Sequence, residues 1–374
     1  MSIRYSIIIK LFITIIISLI LTPLVRIIAF RIGATDKPGP RRVNKKVMPT
    51  MGGLAIFIAF AFSSIFLFKD YIPHRYLFSI LLGALIIVIT GVLDDIFELK
   101  PKQKLFGILL ASLEIYFVAD IHFDSLTLPF FGFVDLGWLS FPMTLLWIVA
   151  ITNAVNLIDG LDGLASGVSI IALSTIGLIG YFFLHSSQIY IPILIFILVA
   201  AIIGFFPYNF YPATIYLGDT GALLLGFMTA VLSLQGLKNA TLITMITPMF
   251  ILGVPITDTV YAILRRTINH KPISSADKMH LHHRLLSLGF SHRGAVMTIY
   301  ALALVFSFIA LIVSYNNSGW GTALLIIAVL IGLELFAELI GLMGPNHQPL
   351  LYLLRLIGNK DFREEEQRKR RNKK

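Results

Sequence analysis

Long apolar segments recur along this whole sequence, and they constrain its fold more than any other feature. Eleven segments are long enough to cross about 30 Å of hydrocarbon as α-helices. Their approximate bounds are 7–29, 51–68, 76–93, 104–119, 139–156, 164–183, 190–207, 220–236, 241–262, 295–315 and 321–343. Only 13% of the residues are charged, whereas soluble domains carry about 25%. The sequence therefore predicts an all-α polytopic membrane protein with about eleven transmembrane helices.

Lys and Arg residues are distributed unevenly between the two sides of this predicted bundle. Most of them fall on the first, third and ninth connections and on the C-terminal tail. The opposite side has only Arg4, Lys10, Lys69, Arg75 and Lys238. The positive-inside rule then predicts an N-terminus outside the cell and a C-terminus in the cytoplasm. Basic loops beside anionic lipid account for the net charge of +10, so we expect membrane lipid and no nucleic acid as partner.

The outer connections are short except for residues 120–138. Alternating polar and apolar residues around Pro129–Gly132 predict a small outer β-hairpin there. Pro248 and Pro255 predict a broken or kinked ninth helix. Residues 1–344 are expected to form one integral-membrane domain that carries all the motifs described below. Residues 345–374 are expected to be a cytoplasmic interfacial segment followed by a charged, disordered tail.

Four polar clusters interrupt the apolar pattern, and all of them fall on the predicted cytoplasmic side. They are Asp94-Asp95, the stretch 153–162, Asp219, and the histidines between 280 and 283. An ionised side chain at the bilayer centre costs roughly 3 kcal/mol, so such groups usually lie at an interface or line a wet cavity. One shared site on the cytoplasmic face explains the common placement of the four clusters.

The stretch 153–162 lies between two membrane-length apolar segments and is the most polar of the four. It contains Asn153, Asn156, Asp159 and Asp162, and each of the two aspartates is followed by glycine. These residues suit a site for a hard cation and a phosphorylated ligand. The alternative is a turn between two helices, where Asn, Asp and Gly are common for conformational reasons.

The acidic residues outside this stretch also allow two interpretations each. Adjacent carboxylates such as Asp94 and Asp95 repel, so a cation is expected to compensate them, and Mg²⁺ prefers this kind of ligand. Alternatively, the pair is an acidic helix end that faces basic loop residues, and the nearby Lys100, Lys102 and Lys104 could equally be phosphate ligands. Asp219 lies in a Gly-Asp-Thr-Gly stretch that opens a helix, where phosphate can bind. Its alternative is a helix N-cap.

Three histidines within four residues, His280, His282 and His283, are followed by Arg284. Zinc would require further ligands, and the chain has no cysteine. A cationic cradle for a diphosphate is the preferred interpretation. Asp258 is expected to orient a basic residue. The sequence contains neither a P-loop nor a dinucleotide-binding fingerprint.

In this order, the clusters resemble the motifs of a known family. Asp94-Asp95, Asn-Ala-Val-Asn-Leu-Ile-Asp-Gly-Leu-Asp-Gly-Leu at 153–164, Pro-Ala-x-x-x-x-Gly-Asp-Thr-Gly at 212–221 and His-x-His-His at 280–283 are similar to those of the polyprenyl-phosphate N-acetylhexosamine-1-phosphate transferases. The run Pro49-Thr50-Met51-Gly52-Gly53 also resembles that family's first cytoplasmic loop. The resemblance spans roughly residues 36–294. Leu217, Ala222 and Asn44 depart from the family pattern, where Met, Ser and, in related N-acetylglucosamine enzymes, His are common.

The resemblance implies a reaction and a cofactor. A polyprenyl phosphate attacks the β-phosphate of a UDP-amino sugar and yields a polyprenyl-diphospho-sugar and UMP, with Mg²⁺ required and Mn²⁺ as the alternative ion. The resemblance also implies three sets of site residues. The catalytic set is Asp94, Asp95, Asp159, Asp162, His282 and His283; the substrate-binding set is Lys46, Thr50, Lys104, Asn153, His280 and Arg284; the metal ligands are Asn156 and Asp219.

The loop that contains His280-Leu281-His282-His283-Arg284 resembles family members that use plain N-acetylglucosamine. We therefore expect UDP-N-acetylglucosamine as donor and undecaprenyl phosphate as acceptor, in a bacterial plasma membrane, with the active site facing the cytoplasm. Residues 289–293 and the basic tail resemble enzymes of teichoic-acid synthesis, and related proteins suggest a homodimer. One alternative is a phospho-muramoyl-pentapeptide transferase. Two further alternatives come from other classes of protein. One is a transporter with a carboxylate-lined site, and the other is a membrane scaffold, which would leave the four clusters unexplained.

Overall fold

The computed structural model describes residues 3–38, 46–128, 132–183, 188–235, 252–268 and 280–315, with single positions between 327 and 352. Two compact units divide the chain. The first unit comprises Met1–Ile256 and His292–Tyr315, and the second comprises Thr257–Ser291 and Asn316–Lys374. The expected boundary between residues 344 and 345 falls inside the second unit, where few residues are described, so it stays a prediction.

Helices account for most of the described residues. In chain order they are α1 (Ile3–Ile32), α2 (Gly52–Phe62), which continues into a π-helical turn (Ser63–Leu67), α3 (His74–Phe97), α4 (Pro101–Phe117), α5 (Ser140–Ile158), which follows a 3₁₀ turn (Gly137–Leu139), α6 (Leu164–Phe183), α7 (Tyr190–Asn209), α8 (Gly218–Gln235), α9 (Gly253–Ile268), α10 (Leu281–Ser287) and α11 (His292–Tyr315).

Two short antiparallel sheets accompany these helices in the described residues. Strands β3 (Ser125–Leu128) and β4 (Gly132–Asp135) pair with Ser125 opposite Asp135, which confirms the hairpin predicted between residues 120 and 138. Strands β1 (Thr35–Asp36) and β2 (Met48–Pro49) also pair, and this two-residue ladder was not predicted. Strands this short carry no periodic hydrophobic signal that a sequence reading can detect.

The apolar segments form helices as predicted wherever the structure describes them fully. Six helices among the described residues are long and apolar enough to cross a membrane: Tyr5–Ile32, His74–Phe97, Gly137–Ile158, Leu164–Phe182, Tyr190–Asn209 and His292–Ile312. The class of polytopic helical membrane protein is thus confirmed, whereas the count of eleven stays a prediction. Half of segment 241–262, including Pro248, and most of segment 321–343 lie outside the described residues. Pro255 stands in the first turn of α9, where proline is tolerated, and does not kink a helix interior.

Helix α8 is the central helix of the first unit. It packs against α2, α3, α5 and α6, and all of its residues from Thr220 to Gln235 are buried. Glycines allow this close approach: a Cβ added at Gly226 would lie 2.8 Å from the backbone of Thr152, and one added at Gly91 would lie 2.3 Å from Thr220 Cα. Small residues at helix contacts bring backbones together in membrane bundles. The first turn of α8 therefore touches the last turn of α3.

Candidate active site

Asp219, in the first turn of α8, is the central residue of the candidate site. We call Asp219 and the side chains joined to it, Lys104 and Asn156, the Asp219 hub. Its Oδ1 accepts hydrogen bonds from Lys104 Nζ at 2.7 Å and from Asn156 Nδ2 at 2.6 Å. Lys104 lies at the start of α4 and Asn156 in the last turn of α5. The structure therefore brings together two predicted metal ligands and one predicted substrate-binding residue from three helix ends.

Asp94, in the last turn of α3, is joined to this hub by the same lysine. Its Oδ2 lies 2.7 Å from Lys104 Nζ, and its Oδ1 accepts the Leu99 backbone N–H at 2.8 Å. The Asp94 side chain is 6% exposed and that of Lys104 is 20% exposed. One partly buried ammonium group thus bridges two carboxylates, so its charge is shielded from water much less than that of a surface ion pair.

Asp95 points towards the backbone of α8. Its Oδ1 accepts the Asp219 N–H at 3.0 Å, and its Oδ2 accepts the Thr220 N–H at 3.1 Å and the Thr220 hydroxyl at 2.6 Å. A helix start has unsatisfied N–H groups, and a carboxylate there is favoured by both hydrogen bonding and the helix dipole. The cap of α8 therefore comes from α3, and the interpretation of Asp219 as the N-cap is wrong, because its side chain contacts Lys104 and Asn156 instead.

Only glycine fits at position 218, which leads into α8. Gly218 has φ +70°, and a Cβ there would lie 2.5 Å from Asp95 Oδ2 and 2.7 Å from the Met51 backbone nitrogen. The left-handed conformation and the absence of a side chain let the Asp95 carboxylate reach the helix start. The requirement for glycine at position 218 thus follows from the backbone conformation and the close contacts there.

The run Pro49–Gly53 holds the same turn from the other side. The backbone N–H groups of Gly52 and Gly53 donate to the carbonyls of Tyr216 and Leu217 at 3.0 and 3.1 Å. Thr50, a predicted substrate-binding residue, is buried, and its hydroxyl has no hydrogen-bond partner among the described residues. Lys46 lies exposed before β2, and its role in substrate binding stays a prediction.

Asp159 ends α5 and is surrounded by other carboxylates. Burial, together with the negative charges of Asp219, Asp95 and Asp162, raises the pKa of Asp159 to about 8. No hydrogen bond or ion pair joins its side chain to another described residue. An acidic group in this environment favours either a proton or a cation. Asp159 is therefore the carboxylate of the site that most requires compensation.

Asp162 organises the loops beside the site. Its Oδ2 accepts the Ala213 N–H at 2.9 Å, and its own N–H donates to His292 Nε2 at 3.0 Å. The His292 ring stacks on Tyr211 with 4.5 Å between ring centroids. His292 was not among the site residues predicted from the sequence, although it stands beside Arg293 just before an apolar segment. The structure adds His292 to the site as the residue that holds the Asp162 loop.

The remaining predicted site residues are Asn153 and the cluster between His280 and Arg284. Asn153 lies on the same helix as Asn156, and its Nδ2 donates to the Val149 carbonyl at 2.7 Å. His280, His282, His283 and Arg284 belong to the second unit, at and within α10. Their predicted roles, like that of Asn153, stay predictions.

The donor set around Asp219 fits a divalent cation that takes part of its ligands from a substrate. In the described part of the chain, no three His, Asp or Glu side chains are close enough to hold a metal ion by themselves. The ammonium group of Lys104 nevertheless pairs with only Asp94 and Asp219 among the described carboxylates, and Asp159 has no hydrogen bond or ion pair with a described residue. Mg²⁺ commonly binds one or two carboxylates, with phosphate oxygens and water completing its shell.

These observations define a class of protein: a polytopic membrane enzyme whose acidic site, at the meeting point of several helix ends, is suited to phosphorylated substrates. Residues 77–237 match the family model described as glycosyl transferase family 4. Over 333 residues, 88% of this chain and 91% of the relative, the chain is 44% identical to the probable undecaprenyl-phosphate N-acetylglucosaminyl 1-phosphate transferase of Bacillus subtilis. The chain therefore belongs to glycosyl transferase family 4.

More distant relatives have similar names. The chain is 33% identical over 338 residues to the decaprenyl-phosphate N-acetylglucosaminephosphotransferase of Mycolicibacterium smegmatis, with 83% of this chain and 82% of the relative covered. It is 30% identical over 293 residues to the undecaprenyl-phosphate alpha-N-acetylglucosaminyl 1-phosphate transferase of Yersinia pestis, with 77% and 79% covered. The predicted family resemblance is thus confirmed.

Proposed function

We propose that the protein transfers N-acetylglucosamine 1-phosphate from UDP-N-acetylglucosamine to undecaprenyl phosphate and releases UMP. The 44% identity to the Bacillus subtilis relative, over nearly the whole of both chains, carries this proposal. The Asp219 hub supports it, because phosphoryl transfer depends mainly on positioning and charge neutralisation. The product would serve as the first lipid-linked intermediate of a cell-wall glycopolymer, with teichoic acid as the expected pathway.

The acceptor itself supplies the nucleophile in this proposal. An oxygen of the lipid phosphate forms a bond to the β-phosphorus of the donor, and the bond from that phosphorus to the oxygen of UMP breaks. A phosphate monoester has a second pKa of about 6, so at neutral pH it is mostly a dianion and needs little general-base help. The protein then has to hold the two phosphate groups in line and stabilise their charge.

The contacts of the paired aspartates support direct attack over a covalent enzyme intermediate. Both oxygens of Asp95 accept hydrogen bonds from α8, and the two oxygens of Asp94 contact Lys104 and the Leu99 N–H. A carboxylate oxygen that accepts strong hydrogen bonds is a poor nucleophile, because attack would require breaking them. We assign Asp95 to positioning α8 and Lys104 to neutralising phosphate charge.

The proposal includes the expected cofactor, and the acidic side chains of the site support it. Asn156 and Asp219 would hold Mg²⁺, or Mn²⁺ in its place, with Asp159 nearby as a further acceptor. When bound, the ion would neutralise charge on the diphosphate of the donor. Asp162, through its contacts with Ala213 and His292, would keep the adjacent loops in place for the nucleotide.

We further propose that this site faces the cytoplasm, where UDP-sugars are made. The site residues lie at the end of α3, the start of α4, the end of α5 and the start of α8, which is one end of the bundle. Connections at this end carry Lys37, Lys46, Lys100 and Lys102, as the positive-inside rule requires of a cytoplasmic face. Eleven helices, an outer N-terminus and a homodimer remain part of this proposal.

The test is UMP release by the purified protein, measured with each donor and with or without undecaprenyl phosphate. We expect release from UDP-N-acetylglucosamine only when lipid and Mg²⁺ are present. Consumption of UDP-muramoyl-pentapeptide alone would contradict the sugar assignment and favour the pentapeptide transferase. One equivalent of UMP released without lipid would indicate a covalent intermediate. Absence of release from either donor would contradict the proposed reaction and leave the transporter as the alternative. Asp70→Asn, at an exposed aspartate before α3, is the control for substitutions of the site aspartates and should retain full activity.

A further inference from the structure

A second acidic residue, outside the Asp219 hub, contacts the histidine cluster of the second unit. Asp258 lies in α9, 22 residues before His280, and its Oδ2 is 2.9 Å from His280 Nδ1. Its Oδ1 accepts the Leu281 backbone N–H at 2.8 Å. The two residues are 2% and 7% exposed, so the contact is almost fully shielded from water. One carboxylate thus holds both the ring and the adjacent backbone.

This contact determines which ring nitrogen of His280 remains for a ligand. An ionised carboxylate only accepts hydrogen bonds, so the hydrogen of the pair must reside on Nδ1. Nε2, on the far side of the ring, then has no hydrogen-bond partner among the described residues. The His280 ring also lies parallel to that of His282, with an interplanar angle of 4° and 6.1 Å between centroids. The contact of Nδ1 with Asp258 therefore sets the orientation of the His280 ring.

We propose that Asp258 is a positioning residue that fixes the tautomer and orientation of His280, so that Nε2 contacts a phosphate or sugar oxygen of the substrate. The proposal rests on the proposed function, because it takes the transfer reaction as the activity that His280 serves. Residues that orient a metal-binding histidine through its second nitrogen commonly contribute 10- to 100-fold to affinity or activity, and we expect an effect of similar size here. The competing explanation is that Asp258 only caps the start of α10 through the Leu281 N–H.

Two substitutions separate these roles. In Asp258→Asn, the amide oxygen can still accept the Leu281 N–H, but the amide nitrogen faces His280 Nδ1 and favours the opposite tautomer. In Asp258→Ala, both contacts are lost. Positioning predicts that Asp258→Asn lowers kcat by about 10- to 100-fold, with KM changed less than roughly threefold and an unchanged melting temperature. A capping role predicts normal activity for Asp258→Asn and a defect only for Asp258→Ala.

A double-mutant cycle with His280→Ala completes the test, using a radiolabelled donor so that slow variants can be quantified. If Asp258 acts through His280, Asp258→Asn adds no further loss in the His280→Ala protein. An equal loss in both backgrounds, normal kcat for Asp258→Asn, or normal activity for His280→Ala would overturn the proposal. If His280→Ala forms no product, the comparison of Asp258→Asn with Asp258→Ala decides alone. Absence of UMP release by the unsubstituted protein would refute the proposed function instead.

Discussion

Replacement of Asp95 by alanine should destabilise the protein, because it removes the cap of the central helix. Three hydrogen bonds join the Asp95 carboxylate to Asp219 and Thr220 at the start of α8. A typical hydrogen bond contributes about 1 kcal/mol net, and loss of an N-cap side chain costs about 0.5–2 kcal/mol. Since water can reach part of the site and replace some contacts, we expect a loss of about 2–3 kcal/mol in the free energy of unfolding.

The matched control is Asp159→Ala, at the carboxylate that has no partner in the described site. Asp159 is repelled by Asp219, Asp95 and Asp162, so its removal should leave stability unchanged or raise it. Both variants lose one carboxylate from the same cluster. The contrast therefore separates the loss of the capping hydrogen bonds from the loss of an acidic side chain as such.

The assay is thermal unfolding of the purified proteins in one detergent, without metal, followed by intrinsic tryptophan fluorescence. At roughly 2–4 °C per kcal/mol, which holds for domains of intermediate size, Asp95→Ala should melt roughly 5–10 °C below the unsubstituted protein. Asp159→Ala should melt at the same temperature or higher. Equal melting temperatures for Asp95→Ala and the unsubstituted protein would refute the capping argument, and a larger loss in Asp159→Ala would reverse the assignment.

Three further predictions concern the same site. Asp219→Ala should abolish Mg²⁺-dependent UMP release, because it removes the carboxylate at the hub; a near-normal rate at ordinary Mg²⁺ concentrations would show that the carboxylate is dispensable. Lys104→Ala should destabilise the protein and lower its activity, because the carboxylates of Asp94 and Asp219 then face each other without the ammonium group between them. Lys102→Ala, at an exposed neighbouring lysine, is the control for both stability and activity. In metal-free buffer, the free energy of unfolding should fall as pH rises towards about 8, which is the pKa of Asp159 in the folded protein. Below that pH the folded protein keeps a proton on Asp159, whereas the unfolded chain, in which this pKa is 3.8, has released it. Asp159→Asn should flatten the pH dependence of melting between about pH 6 and 8, and an unchanged slope would contradict this assignment.

Several structural features follow from local sequence patterns. The apolar segments 76–93 and 164–183 predict α3 and α6 closely, because hydrophobic length is a property of consecutive residues. The hairpin of β3 and β4 follows from alternation around a turn. Asp94, Asp95 and Asp219 could also be selected from the sequence, since charged residues at the ends of apolar segments are conspicuous.

The partners of these residues could not be predicted in the same way. Asp95 bonds to a helix start more than 120 residues later, and Lys104 reaches a carboxylate 115 residues away. The sequence predicts Asp95 in the catalytic set and Asp219 among the metal ligands, with an N-cap role for Asp219 as the alternative. The structure assigns the capping contact to Asp95, because glycines at 91 and 218 let α3 and α8 approach closely.

The sequence alone determined that this chain is a helical membrane protein with its polar chemistry at the ends of its helices. Hydrophobicity along the chain decides this, because each segment must satisfy its backbone hydrogen bonds internally to enter a membrane. Only the tertiary structure decided which oxygen accepts which hydrogen bond. Lys104 bridges Asp94 and Asp219, Asp95 caps α8, and Asp159 has no partner among the described residues, because helix packing sets distances between residues that are remote in sequence.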